Sequence, residues 1–384
     1  MIKAEIVIIG GGVVGASVAY HLTESGAKDV LILERENRQG LGSTGKATGG
    51  VRAQFETEIN IKMSLCSIEF FQNWDFDCGY EPRGYLFFAT DEKQFDYLRR
   101  NVEKQKSLGV KAVGIVDTKT ISEMVKGLNC EDILGGSFGG RDGFINPLGV
   151  LEGFTRKAVE NGAKILTDTQ VLSIETKNGK VIGVETNKGV IKAETVVLCP
   201  GAWAKDLAQT AGVDLPVEPL KRQIVWAKSE TDLQENLPMV IDLGSGFHFR
   251  PAKDSLDEVL FAYPDQDKQP NFETNFDESF IAKVYEKAKH RAPFLAETTV
   301  VREKCRAGLY ENTPDHHAII GGCAAVENLY FCSGFSGHGV MHSPASGRAM
   351  AEIILDGEAS FLDVSCLSLE RFAAGELLHE TAFI

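Results

Sequence analysis

The stretch that most constrains the fold comes first. Ile6-Val7-Ile8-Ile9 is a continuous apolar run, as a strand buried on both faces of a parallel sheet requires. Gly10-Gly11-Gly12-Val13-Val14-Gly15 follows at once, with Gly10, Gly12 and Gly15 at the GxGxxG spacing. In a strand–turn–helix unit the first glycine makes the tight turn and the second lets backbone approach a pyrophosphate. The third lets the helix pack close on the sheet. Val14, Val18 and Leu22 recur on one helical face, and Gly26 can end that helix. The next apolar run, Val30-Leu31-Ile32-Leu33, ends in Glu34, with Arg35 behind it. A carboxylate there can accept the hydroxyls of an adenosine ribose. The unit predicts an α/β, Rossmann-type dinucleotide site of Gly10, Gly12, Val13, Val14, Gly15, Glu34 and Arg35. It leaves FAD and NAD both open.

A chain of 384 residues, 43% of them hydrophobic, can bury the cores of two domains. Its net charge of −14 argues against nucleic acid or an anionic membrane surface as main partner, since both demand a basic face. No segment approaches the roughly 18 uninterrupted apolar residues of a membrane span. Lys3 runs directly into a strand rather than a signal peptide. The eight cysteines show no CxxC or CxxH spacing and read as reduced thiols of a cytoplasmic protein without a metal site.

Three later segments favour a flavin. Residues 42–55 are too small and glycine-rich to build a core. Their backbone amides, with Ser43, Thr44, Lys46, Ala47, Gly49, Gly50 and Val51, can line phosphate and flavin. In residues 328–357 a strand leads into a loop carrying Gly334, Ser336, Gly337, His338, Gly339 and Val340. Ser343 then reads as an N-cap, Pro344 as the first helical residue, and Gly357 as the stop. A helix N-terminus in that place sets a positive dipole end where a reduced flavin gathers negative charge. The third segment is the strand Val196–Cys199, which breaks at Pro200 and presents Gly201 and Trp203.

These segments, with Gly308-Leu-Tyr-Glu-Asn-Thr-Pro-Asp315 and Gly334-Phe-Ser-Gly-His-Gly-Val-Met-His-Ser-Pro344, resemble the D-amino-acid oxidase superfamily of FAD oxidoreductases. Within it the chain looks most like the sarcosine oxidase β-subunit, L-proline dehydrogenase β-subunit and glycine oxidase group, from Ile6 to about Gly357. The resemblance implies FAD and oxidation of a CH–NH bond in a small secondary amino acid, L-proline ahead of sarcosine. It also implies a partner redox subunit, and FMN at a subunit interface in some relatives. Gly308 stands where monomeric sarcosine oxidases carry the cysteine bonded to flavin, so FAD is expected to be non-covalent. Met341 stands where sarcosine enzymes hold a carboxylate-binding lysine. Pro147 stands where heterotetrameric sarcosine oxidase anchors FMN by histidine. Two other readings are a non-catalytic FAD-binding assembly factor and a glycine oxidase-like enzyme. A third, an NAD-linked dehydrogenase, would make the flavin-like segments coincidence.

The resemblance also implies a discontinuous FAD domain of residues 1–80, 145–218 and 300–384, with residues 81–144 and 219–299 forming an antiparallel-sheet substrate domain. Expected elements include the cap Asn146-Pro147 and a hairpin around Asn178-Gly179, entered by Val171 near the cofactor. Strands are expected at 85–90, 223–228, 246–250 and 259–263. For chemistry, Tyr310 matches a tyrosine lying over the flavin in monomeric sarcosine oxidases, and Arg52 a flavin-proximal arginine. His338 is expected beside the isoalloxazine. His248 and Arg250 alternate with Phe247 and Phe249 and therefore share one strand face. With lysine replaced by Met341, either Arg250 or Arg52 is expected to clamp a substrate carboxylate.

Overall fold

The computed structural model describes residues 2–253, 255–265 and 270–381. Ile2–Ile9 runs parallel to Val30–Leu33 on one side and to Gly189–Leu198 on the other. Lys164–Leu166 and Leu329–Ser333 extend this parallel core at its two ends. Ile319–Gly322 and the hairpin Val171–Lys177/Lys180–Thr186 add three antiparallel strands, which makes a sheet of eight among the described residues. At the hairpin turn Asn178 (φ 55°) and Gly179 (φ 75°) both take the left-handed conformation that a two-residue turn needs.

Helix Val13–Glu24 packs between Pro147–Glu160 and Gly339–Asp356. Close approach is why its glycine cannot change: a Cβ on Gly15 would lie 2.0 Å from the Gly10 carbonyl oxygen. Asn146 caps Pro147–Glu160, its side chain accepting from the amides of Leu148 and Gly149.

The second sheet has nine strands among the described residues, antiparallel except where Met239–Asp242 runs beside Tyr85–Ala89. Its centre is Glu218–Lys228, Glu258–Ala262, His248–Pro251 and Met239–Asp242. Phe247, Phe249, Phe261 and Phe280 fill the core beneath it.

Two expectations change. Strand Arg306–Asn312, given to the FAD domain by a boundary at residue 300, pairs along Glu218–Ile224 and so belongs to the second sheet. The last long helix begins at Gly339 rather than at Pro344. Proline inside a helix normally strands the carbonyl one turn back. Here the Ser343 hydroxyl donates to that carbonyl, of Val340, at 2.8 Å, so the helix starts earlier and runs through. Its far end matches expectation, with Gly357 left-handed at φ 91°.

Candidate active site

A cavity of about 490 Å³ opens where the C-terminal ends of the parallel strands meet the second sheet, the usual ligand position for such folds. Glu34 and Arg35 stand at one end, and Arg222, His248 and Tyr263 belong to the wall that the second sheet supplies.

The end nearest the N-terminus is built from backbone. Gly10 turns at φ 104°, and a Cβ there would sit 2.3 Å from the Cys199 carbonyl oxygen. Glu34 folds back on the turn, accepting from the amides of Gly11 (3.1 Å) and Glu36 (2.9 Å). Burial raises its carboxyl pKa despite those donors. Thr44 Oγ1 accepts from the Val13 amide at 3.1 Å, tying the glycine-rich loop to the first helix. Ser43 Oγ donates to the Leu309 carbonyl at 2.7 Å. Arg306 donates to the carbonyls of Lys46 and Ala47, both at 3.1 Å, and so fixes the loop's exit. Gly49 (φ 77°) and Gly50 continue the wall, and a Cβ on Gly50 would collide with the Tyr85 hydroxyl. The Arg35 guanidinium lies 3.8 Å from the Trp203 ring centroid, and Trp203 stacks on Phe272.

Gly337, His338, Gly339, Val340 and Met341 carry the wall onward. A Cβ on Gly337 would fall 2.5 Å from the Tyr310 ring. In neither Val13–Glu24 nor Gly339–Asp356 does the N-cap residue's own side chain cap the helix, and both begin at the cavity. The Val13 amide is taken by Thr44, and the positive ends of the two helices point at whatever occupies the cavity. His338 packs edge-on against Phe55 at 4.8 Å, and burial with the nearby Arg52 charge holds its imidazole well below its usual pKa. Arg52 is buried beneath Phe55 (4.0 Å) and Phe87 (5.3 Å) and donates to the Gln54 carbonyl. Tyr310 lines the cavity with its phenol pKa raised by burial. His248 lines it too. Its Nδ1 lies 2.9 Å from the Gly246 carbonyl, an oxygen that can only accept, so Nδ1 holds the proton and Nε2 keeps a lone pair. Burial lowers the His248 pKa and keeps the ring neutral.

Of the residues expected at the site, Gly15, Val51, Gly334, Ser336 and Arg250 lie outside the lining. Gly15 and Val51 are packed behind it. Ser336 Oγ accepts from the Thr313 amide at 3.2 Å, and Gly334 (φ 75°) fits only because it has no Cβ against Thr313. Arg250 does share a strand face with His248 but lies one step further along. It donates to the carbonyls of Thr48 and Pro251 and sits 4.5 Å from the Phe144 centroid, a wall brace rather than a clamp. Val171, Gly201 and Trp203 do line the cavity, as do Lys46, whose pKa burial lowers, and Met341.

Sequence reading missed Arg222, Glu311, Tyr85 and Gln223, all lining residues. The strand was expected from residue 223, which left Arg222 in a connection, whereas it spans Glu218–Lys228. Glu311 follows Tyr310, and burial pushes its carboxyl up to about 7. Nothing local marks either as different from a surface charge.

FAD fits what is present: a glycine turn, the Glu34 carboxylate at its edge, two helix N-termini at the cavity, and Gly308, where a Cβ would stand 3.2 Å from the Lys46 side chain. A family model described as FAD dependent oxidoreductase (DAO) matches residues 5–353. The chain belongs to that family. The FAD-dependent oxidoreductase domain-containing protein 1 of Bos taurus is 31% identical over 98% of this chain and 86% of its own length. L-Proline dehydrogenase from P. horikoshii has the same fold, with a TM-score of 0.90, 31% identity, and 98% of this chain and all of that chain covered. Human mitochondrial dimethylglycine dehydrogenase is 27% identical over 94% of this chain, a match spanning 43% of that longer protein. Among the described residues no helix is long and apolar enough to cross a membrane, and no cluster of metal-ligating side chains occurs.

Proposed function

We propose that the chain oxidises the CH–NH bond of a small secondary amino acid, with L-proline ahead of sarcosine, using one non-covalently held FAD. The observation that carries the reading is continuity: one cavity runs from the glycine turn, past the Gly339 helix start, to a chamber walled by the second sheet. The similarity to L-proline dehydrogenase over 98% of the chain supports it.

FAD bound here supplies an acceptor for the hydride. Gly10, Gly12, Val13, Glu34, Thr44 and Gly339 are the residues positioned to hold it. Hydride loss requires a neutral substrate nitrogen, and the neutral His248, with its Nε2 lone pair free of Gly246, offers an acceptor for an N–H or a departing proton. Tyr310 closes one side of the chamber, and Met341 gives an apolar, polarisable surface suited to a ring or alkyl substituent. Electrons are proposed to leave through a partner redox subunit, on the resemblance to β-subunits. Pro147 opens a helix and carries no nucleophile, so no second, anchored flavin is proposed.

The test is anaerobic mixing of the purified holoprotein with L-proline, sarcosine, glycine and D-amino acids while the flavin spectrum is followed. Bleaching by L-proline or sarcosine first is expected, with all colour released by acid precipitation. A flavin that stays oxidised with every amine would sink the activity. Colour retained in the pellet would overturn the non-covalent link.

A further inference from the structure

We propose that Arg222 anchors the substrate carboxylate, making an anion-binding subsite on the second-sheet wall of the cavity. This rests on the amine-oxidising reading above and narrows it from amines to amino acids. Among the described residues Arg222 makes a single hydrogen bond, from a terminal nitrogen to the Lys221 carbonyl at 3.3 Å, and no ion pair. Its Nε is buried without an acceptor. Other buried or partly buried arginines of the chain are tied down. Arg291 holds Asp132 and Asp242, Arg371 holds Asp315, and Arg306 donates to two backbone carbonyls. Arg250, whose Nε also lacks an acceptor, spends both terminal nitrogens on the Thr48 and Pro251 carbonyls.

A guanidinium presents five donors and stays charged at any ordinary pH. Leaving that charge in a partly dry wall with most donors unused is costly unless something anionic arrives. The surroundings make the site dry. Ile224, Met239, Ile241, Ala262 and Pro264 line the same cavity, and the Tyr310 ring lies 5.6 Å from the guanidinium carbon. Asp265 contributes a field at Arg222, but its own ion pair is with Lys283, at 3.5 Å. A planar fork facing an apolar chamber matches a carboxylate bidentately. His248 lines the chamber as well, so an acid and an N–H on adjacent atoms find separate partners.

The experiment titrates anaerobic holoprotein with pyrrole-2-carboxylate, an unreactive ring acid, reading the flavin absorbance change. In Arg222→Met its Kd should rise at least about 30-fold, the loss expected when one partner of a desolvated charge pair is removed. Reduction by L-proline should lose its advantage over reduction by pyrrolidine in the same variant. Arg222→Lys, which keeps charge without the fork, should recover part of both. FAD content and Tm serve to show that each variant is folded. Arg250→Met should leave the Kd within about threefold, since that guanidinium serves backbone. Unchanged binding in Arg222→Met, or loss in Arg250→Met instead, would overturn the assignment. Arg222-dependent binding with no amine reducing the flavin would leave the subsite standing and remove the amine-oxidising reading.

Discussion

At the glycine turn the cavity wall is backbone, whereas on the second sheet it is side chain. The first end recognises by backbone and by missing Cβ atoms: Gly10 and Gly12 leave room, and the helix that starts at Val13 turns its positive end to the cavity. The other end recognises by Arg222, His248, Tyr310 and Met341, three of them carried on strands that meet only through pairing across the sheet. The difference separates what each end can tolerate. A backbone wall tolerates almost no substitution and has one ligand class. A side-chain wall can change residue by residue and so sets the substrate.

The sharpest break is Gly10→Val. Its φ of 104° is strained for any residue with a Cβ, and that Cβ would stand 2.3 Å from the Cys199 carbonyl oxygen. FAD affinity should fall by a factor on the order of 100 or more, read as loss of 450 nm absorbance after gel filtration. Arg222→Met should instead keep its colour. Full colour in the Gly10 variant would mean that the turn is not what holds the cofactor.

A smaller effect is expected at Glu34, which binds its own backbone as well as facing the cavity. Glu34→Gln keeps one acceptor oxygen and loses the charge-assisted bond, so the FAD Kd should rise about tenfold. Fluorescence quenching on titrating FAD into the apoprotein measures it. A larger loss than that from Gly10→Val would reverse the order claimed for backbone over side chain.

The same contrast explains what was legible in the sequence. Ile6 to Glu34 is contiguous, and each position has a local reason to be what it is, so strand, turn, helix and carboxylate were all readable. The hairpin at Asn178-Gly179 and the cap at Asn146 were readable for the same reason. Arg222 went unread because the strand was expected only from residue 223 and its neighbours Lys221 and Gln223 give no apolar alternation, whereas Arg250 follows Phe249 in a clear alternation. Which one faces the cavity depends on Thr48 and Pro251 reaching Arg250 first, a tertiary fact. The strand Arg306–Asn312 was misassigned because its partner, Glu218–Ile224, is far away in sequence. The start at Gly339 was hidden because proline normally opens helices, and only the Ser343 hydroxyl on the Val340 carbonyl permits otherwise.

The smallest expected effect concerns the support behind the side-chain wall. Asp142 is fully buried, accepting from the Ala53 amide at 2.8 Å and from Gln54 Nε2 at 3.0 Å, and so holds the segment that carries Arg52. Burial outweighs these donors and the Arg52 charge, and pushes its pKa up to about 7. The unfolded value is near 3.9. Between the two the folded chain binds the extra proton, so this contribution to stability is complete below about pH 4 and is lost as pH rises through about 7. Glu311 has the same sign, while buried neutral histidines such as His21 and His342 have the opposite one. Wild type alone therefore shows a mixed profile, and the quantity to read is the difference from Asp142→Asn. The variant should be less stable throughout, since its amide nitrogen only donates and leaves one oxygen where the carboxyl receives Ala53 on one oxygen and Gln54 on the other. Across pH 5 to 8, however, its Tm should decline less than wild type by about 2–4 °C. Parallel Tm profiles would show that Asp142 is ionised in the folded protein, and that Arg52 rather than burial governs this wall.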